Sequence, residues 1–199
     1  MKQKTIFMVI IFFQIFFLYS CAKEDDSSSG SSSSTTELEG TWATNCFLSG
    51  SYYRIQKLEV TGTDAKVNYE LHTDSNCNTD VYLYEDTYSS FTVGDEVTFS
   101  SGLKGKKFTI NIESFKLTPQ SSSSVTTLNN ASTCGSTDWS LNTAKDYTGL
   151  TCGSTTYAAK NTSTRGLYRL DGNNLTLGDL LTSGSYPTSV YTSPIYVKQ

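Results

Sequence analysis

His72 is the only histidine in the 199-residue chain. An imidazole beside a serine and a carboxylate could activate that serine for acyl transfer. No Gly-x-Ser-x-Gly elbow occurs, so nothing in the sequence designates the serine. His72 shares the polar side of an alternating run with Asn68 and Glu70, which predicts an exposed strand histidine. Ser101-Gly102-Leu103-Lys104 spells Ser-x-x-Lys, but three-residue spacing joins two side chains only on a helix. Here Gly102 and Gly105 predict a turn between strands, so the match is read as chance and no catalytic residue is assigned.

A calcium loop is the next chemistry to weigh. Counting Asp74 as position 1, Asp74, Asn76, Asn78, Asp80 and Glu85 take positions 1, 3, 5, 7 and 12, with Tyr82 at 9. Alternating oxygens of this kind suit calcium, but the loop needs glycine at position 6, where Thr79 stands. Cys77 also lies inside the loop and the flanks read as strands. A polar hairpin loop is the better reading, and no metal ligand is assigned. Glu85-Asp86 and Asp95-Glu96 are chain neighbours, so on a strand each pair points to opposite faces. That is the wrong arrangement for two carboxyls sharing a substrate across ~5–10 Å. Asp95 with Gly94 reads as turn chemistry. There is no phosphate-binding glycine loop and no nucleotide fingerprint, so no cofactor is expected.

The chain carries 15 Lys+Arg against 19 Asp+Glu. Beyond residue 20 the count is 13 against 19, because Lys2 and Lys4 precede it. The only basic grouping, Lys104, Lys106 and Lys107, falls in the predicted turn. An acidic chain without a basic stripe is not expected to bind nucleic acid.

The elements around these residues read as strands. The body is rich in Thr, Tyr, Val and Ser, which is strand chemistry. Val67, Tyr69 and Leu71 alternate with Lys66, Asn68, Glu70 and His72, giving a strand with one buried face. Val81 and Leu83 alternate with Tyr82 and Tyr84, so one pair must face outward or into a cavity. An outward tyrosine row could stack on sugar rings. Phe91 and Val93, then Gly94-Asp95, then Val97 and Phe99 read as a hairpin. Phe108, Ile110 and Ile112 alternate with Thr109, Asn111 and Glu113. Tyr168 and Leu170 lead through Asp171-Gly172-Asn173-Asn174 to Leu175 and Leu177, the clearest hairpin in the chain. A last strand is predicted through residues 195–197. Residues 120–160 are polar and carry two cysteines. A connection that long must be pinned or functional, and a helical turn at Asp138-Trp139 would tuck Trp139 and Leu141 onto the body.

At the N-terminus, Lys2 and Lys4 precede an almost wholly apolar run over residues 5–19, which has the form of a signal peptide. A permanent membrane helix needs about 20 apolar residues. Leu18-Tyr19-Ser20-Cys21 resembles a bacterial lipobox, which implies cleavage before Cys21 and acylation of that residue. The segment from Cys21 to Asp26 resembles the signal that exports some Bacteroidota lipoproteins to the cell surface. A Ser-rich stretch follows, too polar to bury a core. The expected organisation is a signal peptide over 1–20, a lipid-anchored tether over 21–36 and one domain over 37–199, held at the outer membrane by its lipid. With Cys21 acylated, Cys46, Cys77, Cys134 and Cys152 form an even set in an oxidising compartment, which implies two disulfides. Three connectivities exist. Cys46–Cys77 and Cys134–Cys152 are favoured, because each closes a local loop. Tetrahedral zinc is not supported by the spacing, which contains no Cys-x-x-Cys pair.

About eight short antiparallel strands in about 160 residues predict an all-β barrel or sandwich. Leu38-Glu39-Gly40-Thr41-Trp42 resembles the opening strand of lipocalin-like domains, in which a Gly-x-Trp sets the tryptophan at the closed end of the barrel. The 168–177 hairpin is similar to the late strands of such barrels. The resemblance implies an antiparallel lipocalin-like barrel with a long disulfide-pinned loop, binding a small apolar ligand without catalysis. Surface adhesion or glycan contact through outward tyrosines is the alternative expectation.

Overall fold

The computed structural model describes residues 36–99 and 101–199. The expected signal peptide, the lipobox-like segment with Cys21, and the expected tether as far as residue 35 lie outside the described residues. Among the described residues twelve strands form: β1 (Gly40–Ala43), β2 (Phe47–Ser49), β3 (Tyr52–Thr61), β4 (Asp64–His72), β5 (Asp80–Thr98), β6 (Lys104–Pro119), β7 (Lys145–Asp146), β8 (Thr151–Cys152), β9 (Thr155–Thr156), β10 (Ser163–Asp171), β11 (Asn174–Leu177) and β12 (Tyr196–Lys198). Eight of them pair in the cyclic order β1-β12-β11-β10-β6-β5-β4-β3, and β3 returns to β1. Every junction is antiparallel, so the sheet closes into an up-and-down barrel with no free edge among these eight.

Alternation supplies the inside. Leu58 faces Val67, Val60 faces Ala65, and Trp42 faces Leu58 in register. All of these are buried, as are Phe108, Ile110 and Ile112 on β6. At ~25 cal/mol per Å² of apolar surface removed from water, this interior is the main stabilising term of the fold.

The two ends of the barrel differ. One end holds the short hairpins and the segment before β1. Leu38 is buried there, and the Trp42 indole Nε1 donates to its carbonyl at 2.8 Å. The Tyr168 hydroxyl donates to Glu37 at 2.8 Å, and Lys106 pairs with the same carboxylate at 2.8 Å. The Lys106 ammonium holds Glu37 below the usual carboxylate range. Residues 36–39 thus plug this end, with Trp42 beside them. The β10–β11 turn lies at the same end, with Gly172 at φ +59°, as its Asp-Gly-Asn-Asn signature required.

The other end carries the long connections. Cys46–Cys77 joins the segment before β2 to the β4–β5 loop, and Cys134–Cys152 pins the connection from β6 to β10. Both are the favoured pairings. That connection contains α1 (Ser122–Asn130), a helix the sequence did not announce. Its residues are weak helix formers. The helix is instead held from outside: Ser121 caps it by accepting from the Ser124 amide, and the buried Ser124 hydroxyl donates to the Val81 carbonyl at 2.9 Å. No helical turn starts at Asp138. Trp139 is buried as expected, clamped by Asn129 through two hydrogen bonds, but Leu141 is 48% exposed.

Two turn assignments need correction. Gly94-Asp95 is not a hairpin turn. β5 runs straight through it with a register shift between Val93 and Glu96, so the pair is a bulge that bends one long strand. The true turn follows Phe99, whose amide donates to the Leu103 carbonyl. Gly105 belongs to β6, where a side chain would strike the Phe99 ring and the Tyr168 carbonyl. Lys104, Lys106 and Lys107 accordingly stand on a strand; Lys104 pairs with Glu96 at 2.6 Å.

Candidate functional site

The inward faces leave a cavity of about 310 Å³. Its wall is mainly apolar: Leu58, Val60, Ala65, Val67, Phe91, Phe108 and Ile110 from β3 to β6, Leu177 from β11, with Leu38 as floor. A glycine makes room for the Phe108 ring of this wall. Gly166 stands opposite Phe108 on β10, and a Cβ there would lie 2.3 Å from the ring. The wall continues through Gly178, Asp179 and Leu180 after β11, and through Tyr191 and Pro194 before β12. Leu180 is 40% exposed and Tyr191 52%, so the cavity reaches solvent between these segments, at the end opposite the plug. The Tyr191 hydroxyl donates to the Asp179 carboxylate at this mouth. The volume lies at the lower end of the ~300–1,000 Å³ typical of ligand pockets.

Polar groups interrupt the wall along one side. The Tyr196 hydroxyl donates to Gln56 Oε1 at 2.5 Å, and both residues line the cavity. Tyr69 and Tyr88 line it too, and behind them sits Asp86. Register places Asp86 opposite Val67 on β4 and Phe115 on β6, and therefore inside the barrel. Burial pushes its carboxyl up to about 7, opposed by the Tyr88 and Tyr69 hydroxyls, of which Tyr88 donates at 3.3 Å. Burial, then the Asp86 charge, holds both phenols well above their ordinary value. Arg54 is inward as well, opposite Leu71, with its guanidinium carbon 5.6 Å from the centre of the Tyr69 ring. Its Nε is buried without a hydrogen-bond partner. No carboxylate lies within 4.0 Å of its guanidinium among the described residues.

Most residues singled out from sequence lie elsewhere. His72 is buried, only 3% exposed, rather than exposed. A bulge at Leu71/His72 shifts it off the regular alternation. Its Nδ1 lies 3.0 Å from Asp80 Oδ1, off hydrogen-bond geometry, and neither ring nitrogen meets a serine hydroxyl. Ser101 is in the turn after β5, while Lys104 pairs with Glu96. The calcium-loop oxygens diverge. Asp74 accepts from the amides of Asn76, Asn78 and Thr79, whereas Glu85 faces Lys66 at 2.7 Å and Lys116 at 3.9 Å. The loop is a set of Asx-type turns stapled by Cys77. Glu85 and Asp86 do face opposite ways, as alternation required.

Tyr82 and Tyr84 point inward, and Val81 on the other face is covered by the α1 segment. Tyr82 is 7% exposed and touches Tyr52 edge-on, with ring centres 6.0 Å apart. Tyr147 and Tyr157 of the long connection pack on Phe115, extending an aromatic cluster across that side of the barrel. Sequence reasoning missed Arg54, Gln56 and Asp86. The only signal was their parity with neighbouring apolar residues: Arg54 and Gln56 precede Leu58 and Val60 at steps of two.

Fold and cavity together define a closed antiparallel barrel with a mainly apolar chamber, plugged at one end and open at the other. Compared with models of known protein families and with curated protein sequences, the chain matches none.

Proposed function

We propose that this chain is a lipid-anchored protein of the outer envelope that holds a small apolar molecule in its barrel without transforming it. The single observation behind the reading is the 310 Å³ chamber, whose mainly apolar wall opens to solvent beside Leu180 and Tyr191. A packed barrel would fill such a space with side chains. The glycan-contact alternative loses support, because Tyr82 and Tyr84 are turned inside.

Binding is tested on the full chain carrying Cys21→Ser, exported without its lipid. An apolar naphthalene fluorophore should shift to the blue on mixing. Ala65→Leu, which adds bulk to the cavity wall, should weaken that binding at least tenfold. A fluorophore indifferent to the unsubstituted chain would dispose of the proposal. The anchor is tested separately by intact mass. Protein extracted from membranes should begin at acylated Cys21 and gain four protons on reduction. A mass lacking acyl chains would remove the anchor from the reading.

A further inference from the structure

We infer that the ligand is an amphiphile with a singly charged carboxylate head, bound by Arg54 and Gln56, whose apolar chain lies in the cavity. This rests on the cavity reading above and adds the head group. A guanidinium keeps its charge at any ordinary pH, so burial cannot be relieved by losing a proton. Arg54 nonetheless points into the barrel with its Nε buried and unpartnered and its guanidinium carbon 5.6 Å from the centre of the Tyr69 ring. Its charge is felt at Tyr69 and Tyr196, two residues of the cavity wall.

Gln56 stands two residues on, on the same face of β3. Its amide oxygen is taken by the Tyr196 hydroxyl, which turns its amide nitrogen into the remaining donor. Two donors two residues apart on one strand, one of them a planar fork, match a carboxylate. A doubly charged head fits less well, since no Lys or Arg among the described residues lines the cavity itself, Arg54 stands just beyond Tyr69 as a single cation, and Asp86 lies behind that tyrosine. At ~30 Å³ for each water-sized group, the chamber holds a chain of about ten heavy atoms.

The experiment compares decanoate with decanol, by calorimetry, on the full chain carrying Cys21→Ser. Decanoate should bind at least tenfold tighter. Arg54→Met should erase that preference and leave decanol affinity unchanged, with near-ultraviolet dichroism reporting an intact core. Equal affinities for acid and alcohol on the unsubstituted chain overturn the head-group inference and spare the cavity reading. So does an acid preference that survives Arg54→Met. If neither compound binds, the cavity reading falls as well. The comparison on the unsubstituted chain stands even if Arg54→Met fails to fold.

Discussion

Asp86→Asn should stabilise the protein at pH 8 by on the order of 4 kcal/mol relative to its effect at pH 4. Asp86 is held inside the barrel with its carboxyl raised to about 7, chiefly by burial. In the unfolded chain the same group titrates near 3.9. Between these values the folded state binds the proton and the unfolded state does not, so stability rises as pH falls from 7 toward 4. Above pH 7 the folded protein carries the charge and the full penalty. Asparagine keeps the size and the acceptor oxygen for the Tyr88 and Tyr69 hydroxyls but never ionises. The variant's advantage should therefore be largest in alkali and nearly vanish at pH 4. Urea unfolding at pH 4 and pH 8, with both disulfides intact, measures it. An advantage independent of pH would mean that Asp86 is not the titrating group.

Asp86 shares with the rest of the site a position that local sequence pattern does not reveal. Alternation correctly sorted β4 and β6, because Val67 and Leu71, or Phe108, Ile110 and Ile112, announce their own buried face. The 171–174 turn was legible because its geometry admits few residues. Both cystine pairings followed from short loops. The rule that polar residues face water failed at Arg54, Gln56 and Asp86, where the barrel turns polar groups inward along one wall. Only register shows this: Asp86 is inside because Val67 is, and that pairing runs across from β4 and cannot be read within β5 itself. Local rules broken in one cluster are what a binding site leads one to expect.

The remaining misreadings have other causes. Gly94-Asp95 carries turn chemistry, yet bulges use the same conformational freedom. α1 lacks any helical signal of its own and forms against Val81. His72 follows a bulge, and a shift of one residue changes the face of every side chain beyond it.

Trp42→Ala should cost about 3–5 kcal/mol, the usual loss for a large buried aromatic. Trp42 is 1% exposed and stands between Leu58 on β3 and Lys198 on β12, whose ammonium lies 5.1 Å from the centre of its ring. It therefore closes the sheet where the first and last strands meet. Its indole also holds the Leu38 carbonyl, and with it the plug under the cavity. Trp42→Phe separates the two roles. It keeps most of the apolar filling and leaves that carbonyl without its donor, at about 1–3 kcal/mol. Hydrogen exchange should then quicken at the Glu39 amide, which donates to Thr36 within the plug, while amides in the middle of β4 and β5 keep their protection. Apolar ligand should bind more weakly to Trp42→Phe, because Leu38 is the floor it rests on. Uniform acceleration across the barrel would show that Trp42 matters only as filling, and that the plug is held by Glu37 with Tyr168 and Lys106 instead.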